Sequence, residues 1–119
     1  MSNSAHPQAD NLDPENWDAL RQQGHQMLDD MFDYLQNIRS RPVWQPIPDG
    51  IRAEFQQPLP QQAGDLASAH DTFMRAVVPY AVGNAHPGFM GWVHGGGSPV
   101  GMLADTLAES AAQTRGPFD

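Results

Sequence analysis

The sequence predicts a mainly α-helical chain, in which one long N-terminal helix and several shorter helices are joined by proline-rich straps. Apolar residues recur at steps of three and four from residue 17 to residue 38, which is the spacing of one helix face. Prolines cluster between residues 42 and 60, where that spacing is lost. Strand signals are weak, and residues 89–93 are the one candidate.

The first helix is expected to begin with Asp13 as N-cap and Pro14 at the first helical position. It should end near Ser40, because Pro42 cannot continue a helix and disfavours helical dihedrals at the residue before it. Such a helix would be about 40 Å long. Its apolar stripe comprises Trp17, Leu20, Gly24, Met27, Met31, Tyr34 and Ile38, widened by Leu28, Phe32 and Leu35.

The breadth and length of this stripe allow two interpretations. The helix either belongs to an ordinary bundle, or it packs against a second copy of the chain or another domain. Residues 1–12 are small and polar, and we expect them to form a disordered leader.

The shorter elements follow in order. Residues 42–48 are expected to form an extended strap anchored by Val43, Trp44 and Ile47, and residues 51–55 a single helical turn. After a second Pro/Gln linker, Asp65 caps a helix that ends at Pro79. A loop over residues 80–97 leads to the last helix, with Ser98 as N-cap and Pro99 at its first position.

Composition and charge exclude several classes of protein. The formal net charge is −8, with 14 acidic residues against 6 basic ones, which argues against a nucleic-acid partner. The absence of cysteine excludes disulfides and thiolate metal sites. The N-terminus lacks the pattern of a signal peptide, and no apolar run approaches the length of a membrane span. We therefore expect a cytoplasmic protein without a membrane partner.

The stretch "HPGFMGWVHGGGSP", residues 86–99, is the main candidate for chemistry. The five histidines show no HxxxH or HxH spacing, so no metal site is predicted. Ser98 lies outside any G-x-S-x-G motif, so no catalytic serine is predicted. Glycines before a helix N-terminus could bind a carboxylate or phosphate, or could form a turn that passes close to another surface. The residues leave both interpretations open.

Three stretches together resemble the group II pyridoxal-phosphate-dependent amino-acid decarboxylases. "LRQQGHQMLDDMFDYLQNIRSRPVW" is similar to their first helix and strap, and the helix ending in "VVPY" to the helix before their His-Pro loop. "HPGFMGWVHGGGSPVGMLADTLA" is similar to that loop and the following helix. The resemblance covers residues 17 to about 108 in the order and spacing of the family.

The resemblance implies that residues 13–119 form the N-terminal arm of a type I pyridoxal-phosphate-fold lyase and the start of its large domain. In that family the arm contributes contacts to a homodimer and one wall of the amino-acid substrate pocket. The pocket-wall positions would be Trp92, Val93, His94 and Gly95.

No catalytic, cofactor-binding or metal-binding residue is expected within these 119 residues. A Schiff base with pyridoxal phosphate requires a lysine amine, and the sequence has no lysine. The chain is therefore expected to be inactive alone. Two alternatives remain: a free-standing helical protein that dimerises or binds partners through its first helix, and a small anion-binding module built on the glycine loop.

Overall fold

A computed structural model describes residues 12–91 and 97–112 of the chain. Helices account for all the regular structure in these two ranges, so the predicted mainly α fold class is confirmed. Residues 89–91 of the strand candidate are irregular, and its last two residues lie outside the described ranges. The helices are α1 (Trp17–Gln36), α2 (Asp49–Glu54), α3 (Leu66–Thr72) and α4 (Pro99–Ala111), with short 3₁₀ turns at Ile38–Ser40 and Val78–Tyr80.

The start of α1 corrects the sequence prediction, because the N-cap is Asn16 and not Asp13. Asn16 has extended dihedrals, and its side-chain oxygen accepts a hydrogen bond from the Ala19 backbone N–H at 3.0 Å. Asp and Asn are equally good caps, so a cap three residues earlier could not be excluded from composition alone. Pro14 therefore precedes the helix and does not open it.

The end of α1 was also predicted too late. The α-helix stops at Gln36, and the backbone tightens into the 3₁₀ turn that ends at Ser40. Asn37 favours this change, because both its backbone N–H and its side-chain amide donate to the Asp33 carbonyl. Arg41 is extended, as Pro42 requires. The 20 residues of α1 span about 30 Å instead of the expected 40 Å.

The other two predicted caps are confirmed. Asp65 accepts from the Ser68 backbone N–H at 2.7 Å and begins α3. Ser98 accepts from the Gly101 N–H at 3.0 Å and begins α4, with Pro99 at its first position. After Thr72 the α3 helix widens into a π-helical segment, Phe73–Val77, before the turn containing Pro79. The widening was not predicted, because single π-helical turns are rare and residues 73–77 give no sequence signal for one.

The small core lies where the C-terminal end of α1 meets the segment that continues α3. The buried apolar residues of the described ranges are Ile38, Ala76 and Val78. A polar cluster joins the same two helices further along. The Gln23 amide donates to His70 Nδ1 at 2.8 Å, and Asp30 Oδ2 lies 2.8 Å from His70 Nε2. Because Nδ1 accepts from Gln23, the proton of a neutral His70 ring lies on Nε2, next to the Asp30 carboxylate.

The chain leaves much apolar surface uncovered. Its radius of gyration is 19.0 Å, whereas a compact domain of this length has about 13–14 Å. Trp17 is 60% exposed and Leu20 37% exposed on α1, and α4 has no buried residue. The strap and the following linker expose Trp44, Ile47, Phe55 and Leu59. Within the described ranges, the buried apolar side chains all lie near the α1–α3 junction.

Candidate functional site

The candidate site is built where the strap after α1 meets the loop that follows α3. The Gly83 backbone N–H donates to the Val43 carbonyl at 3.2 Å, and the Gln45 side-chain amide donates to the Pro79 carbonyl at 2.9 Å. Gly83 is buried at this crossing. A Cβ added there would collide with the Val43 carbonyl oxygen, so the two backbones can approach this closely only at a glycine.

Beyond Gly83 the loop folds through two successive turns. The His86 N–H donates to the Gly83 carbonyl at 2.9 Å, and the Phe89 N–H donates to the His86 carbonyl at 3.0 Å. The His86 ring takes part as well, since its Nδ1 accepts from the Gly88 N–H at 2.8 Å. This bond leaves the proton of a neutral ring on Nε2. The histidine of the His-Pro motif is thus a hydrogen-bonded loop residue.

A cavity of about 70 Å³ lies beneath this crossing. Its polar lining comes from Tyr34, Arg41, Gln45 and His86, and its apolar lining includes Ile38 and Val78. The Arg41 guanidinium lies 5.0 Å from the centroid of the Tyr34 ring, a cation–π distance that orders the start of the strap. The cavity is too small for an amino acid. Its lining residues instead hold the strap and the loop in place relative to α1.

A second, open groove of about 560 Å³ separates α1 from α4. Its walls include Tyr34 and Leu35 of α1, and Met102 and Asp105 of α4. Ser98 lies at one edge, but its hydroxyl is occupied as the cap of α4. A nucleophilic role for Ser98 therefore has no support in this geometry.

The four predicted pocket-wall residues, Trp92, Val93, His94 and Gly95, lie outside the described residues, which stop at Gly91 and resume at Gly97. Their role remains a prediction. The described residues on either side place the two ends of that segment. On the first side, the Phe89 ring lies against Gly91, and a Cβ there would require the ring to move. On the second side, Gly97 borders the open groove at the start of α4.

Sequence reasoning missed two polar contacts that stabilise the arrangement. One is the Gln23–His70–Asp30 cluster described above. The other is a bidentate ion pair in which both terminal nitrogens of Arg75 donate to the Glu54 carboxylate at 2.9 Å. Arg75 holds the pKa of Glu54 below its usual value, and Glu54 raises that of Arg75 in return. Gln23 and Asp30 are two turns apart on α1, so the sequence indicated that they share a helix face. It did not indicate that both contact His70.

The described side chains contain no cluster of three or more His, Asp or Glu residues that could hold a metal ion. In the same ranges, no helix combines the length and apolarity needed to cross a bilayer.

Comparison with known proteins gives three relatives that share one activity in their names. The chain is 28% identical to tyrosine decarboxylase 1 of Narcissus pseudonarcissus over 105 residues, which is 87% of the chain and 20% of the relative. It is 29% identical to the aromatic-L-amino-acid decarboxylase of Bacillus atrophaeus over 92 residues, 76% of the chain and 19% of the relative. It is 26% identical to tryptophan decarboxylase 2 of Oryza sativa subsp. japonica over 98 residues, 82% of the chain and 20% of the relative.

The chain spans about a fifth of the length of the curated relatives that it matches. No family model matches it, and no solved structure matches it. The resemblance predicted from the helix, strap and loop motifs is confirmed by these relatives: the chain is similar to the N-terminal part of the group II decarboxylases that act on aromatic amino acids.

Proposed function

We propose that this chain is the N-terminal arm of a pyridoxal-phosphate-dependent amino-acid decarboxylase, where it supplies dimer contacts and one wall of the substrate pocket. The observation that carries the proposal is the match to three decarboxylases over 76–87% of the chain. Their names point to aromatic amino acids as the substrate class.

The geometry supports the pocket-wall role through the contact between strap and loop. Hydrogen bonds from Gly83 and Gln45 tie the loop after α3 to the strap, and the His86 turn then directs the chain towards residue 92. A wall that must keep its shape against a substrate needs such support from rigid neighbours. In this proposal Trp92 offers an aromatic face to the substrate side chain, while Val93, His94 and Gly95 complete the wall.

The residues present do not fit the cofactor of that reaction. Covalent attachment of pyridoxal phosphate needs a lysine amine, and this sequence has none. The chemistry of carbon dioxide loss therefore belongs to a lysine-bearing part that is not among these 119 residues, and we propose that the chain alone is inactive.

The test is a chimera in which this chain replaces the matched segment of the Bacillus atrophaeus enzyme. We expect the chimera to release carbon dioxide from aromatic amino acids, and the 119-residue chain by itself to release none. Trp92→Ala in the chimera should raise KM several-fold with a smaller change in kcat, because it removes a binding surface and no reacting group. Leu59→Ala, at a linker residue that is 87% exposed, is the matched control and should leave both constants unchanged.

Two outcomes contradict the proposal. Turnover by the isolated chain would overturn its inactivity. A chimera that is folded and dimeric, and whose KM is unaffected by Trp92→Ala, would remove residue 92 from the pocket wall.

The second candidate function is a free-standing helical protein that dimerises through α1. The observation in its favour is the exposure of Trp17 and Leu20 on the apolar stripe. Light scattering on the isolated chain separates the two candidates when combined with the chimera. A stable dimer of the isolated chain together with an inactive chimera favours the free-standing protein.

A further inference from the structure

The cavity of about 70 Å³ beneath the crossing of strap and loop has a charge opposite to that of the chain as a whole. The sequence has 14 acidic residues against 6 basic ones, yet none of the residues that line this cavity is acidic. Its ionisable lining includes Arg41 of the strap and His86 of the loop. A cleft lined by one sign of charge attracts small ions of the other sign, so this cavity favours an anion.

Arg41 brings to the cavity a positive charge that no carboxylate of the described residues pairs with. Arg75 is exposed and paired with Glu54, whereas Arg41 is half-buried and forms no ion pair within residues 12–91 and 97–112. Its guanidinium lies 5.0 Å from the centroid of the Tyr34 ring. Contact with the face of a ring leaves the N–H groups at the guanidinium edge free to donate. Because a partly buried charge is unfavourable without a partner, Arg41 favours the binding of an anion.

His86 provides a second donor, and the loop sets its tautomer. The Gly88 N–H donates to His86 Nδ1 at 2.8 Å, so the proton of the neutral ring lies on Nε2. No acceptor for this Nε2–H is found in the part of the chain that the structure describes. Strap and loop thus each contribute a donor to the lining of one cavity. An ionised oxyanion only accepts hydrogen bonds, so it suits such a set of donors.

The size of the cavity and the shape of the arginine side chain restrict the ligand. A single water needs roughly 10–15 Å³ of cavity, so a ligand of only a few heavy atoms fits here. The guanidinium presents parallel N–H groups in a planar fork. This fork matches two oxygens of a planar oxyanion and gives no such advantage to a spherical ion.

We propose that this cavity binds a small planar oxyanion of the formate or bicarbonate class, held by the guanidinium fork of Arg41 and by the Nε2–H of His86. The anion connects the strap to the loop at the place where the Gly83 N–H donates to the Val43 carbonyl. It adds a charged contact to the hydrogen bonds that already join these two segments. The inference goes beyond the proposed function and does not depend on it, because every contact lies within this chain.

Anion titrations of the 119-residue chain test the site. At constant ionic strength and pH, sodium formate should shift the His86 ring resonance saturably in NMR spectra. It should also raise the urea midpoint of unfolding, because the ligand binds the folded chain. Sodium nitrate, which is planar and small, should act in the same way, whereas sodium chloride should bind at least tenfold more weakly. No saturable shift with formate, or equal shifts with formate and chloride, would overturn the proposal.

Sodium bicarbonate, titrated under the same conditions, distinguishes the two sources of the shared chemistry. Tighter binding than formate assigns the cavity to bicarbonate, and weaker binding assigns it to a small carboxylate.

Arg41→Gln tests the main contact, since it removes both the charge and the fork. We expect the formate Kd to rise at least tenfold. Arg39→Gln is the matched control, because it makes the same change in net charge at an exposed arginine that does not line the cavity. It should leave the formate Kd unchanged. Equal formate Kd values for the two variants would show that Arg41 does not bind the anion.

Two further variants decide the matter if Arg41→Gln fails to fold. Arg41→Lys retains the positive charge without the fork, so the preference for formate over chloride should be lost. His86→Asn retains an oxygen that accepts from the Gly88 N–H, as in an Asx turn, but removes the Nε2–H. Its formate Kd should rise several-fold with an unchanged circular dichroism spectrum. Wild-type affinity and selectivity in both variants would contradict the inference.

Discussion

The α1–α3 junction and helix α4 have equally good local helix signals but differ in the burial of their apolar side chains. Asp65 caps α3 and Ser98 caps α4, each through a bond to the backbone N–H three residues later. At the junction Ile38, Ala76 and Val78 are buried, whereas α4 has no buried residue and exposes Val100 and Leu107. Local signals thus form a helix in both regions, and burial depends on whether the chain supplies an opposing surface.

The largest expected difference between the two regions is in the free energy of unfolding after truncation of one apolar side chain in each. Ile38→Ala is expected to lower the free energy of unfolding by about 2–4 kcal/mol, because it removes buried apolar surface and leaves a cavity. Leu107→Ala, at an exposed position of α4, should change it by less than about 0.5 kcal/mol. Urea unfolding followed by circular dichroism measures both. Equal losses would show that α4 is packed against the chain in solution and would end the distinction between the regions.

A smaller effect is expected where the strap crosses the loop. Gly83→Ala should cost about 1–3 kcal/mol in unfolding free energy, because the new methyl group forces the Val43 carbonyl away and strains their hydrogen bond. Gly64→Ala is the matched control, since a Cβ there meets no described atom. It should be neutral or slightly stabilising through the unfolded chain. A neutral Gly83→Ala would mean that the strap and the loop are not held together in solution.

The smallest expected effect is the pH dependence of helix content, which should depend on the Asp65 cap of α3 and not on the Ser98 cap of α4. The Ser68 backbone N–H donates to the Asp65 carboxylate and holds the pKa of Asp65 below its usual value. A carboxyl group with a lowered folded pKa stabilises the fold above its unfolded pKa, and this contribution is lost as the pH falls through the folded pKa. Helix content should therefore decline as the pH falls below about 4, in part through α3.

Asp65→Asn keeps a capping oxygen that does not titrate, so this part of the decline should disappear in circular dichroism. The Ser98 cap of α4 is uncharged, and Ser98→Asn should leave the pH profile as it is in the wild type. An unchanged profile for Asp65→Asn would show that the cap does not contribute to acid unfolding.

Much of the fold could be predicted because its signals are local. Pro42, Asp65, Ser98 and Pro99 act on the dihedrals and hydrogen bonds of their immediate neighbours, and each behaves as predicted. The failures are also local. Asp13 and Asn16 are both suitable caps, and only the folded chain shows that Asn16 is used. The 3₁₀ turn after Gln36 leaves the apolar spacing intact, so the pattern could not place the end of α1.

In the candidate site, the local motifs could be predicted from the sequence, whereas the long-range contacts could not. The His-Pro motif and the strap were identified from the sequence, and the relatives confirm the resemblance that they carry. The contact of Gly83 with Val43 and the cluster of Gln23, His70 and Asp30 could not be predicted. Their partners are some 40 residues apart in the chain, and neither contact has a spacing rule.

The sequence by itself determined the helices, their proline-rich straps, the acidic charge and the absence of the lysine that a pyridoxal enzyme needs. Only the tertiary structure decided which apolar faces are covered: α3 packs against α1 through Gln23, Asp30 and His70, while Trp17 and Leu107 stay exposed. The physical reason is that helix formation depends on neighbours within a few residues, whereas burial depends on surfaces brought together from distant parts of the chain.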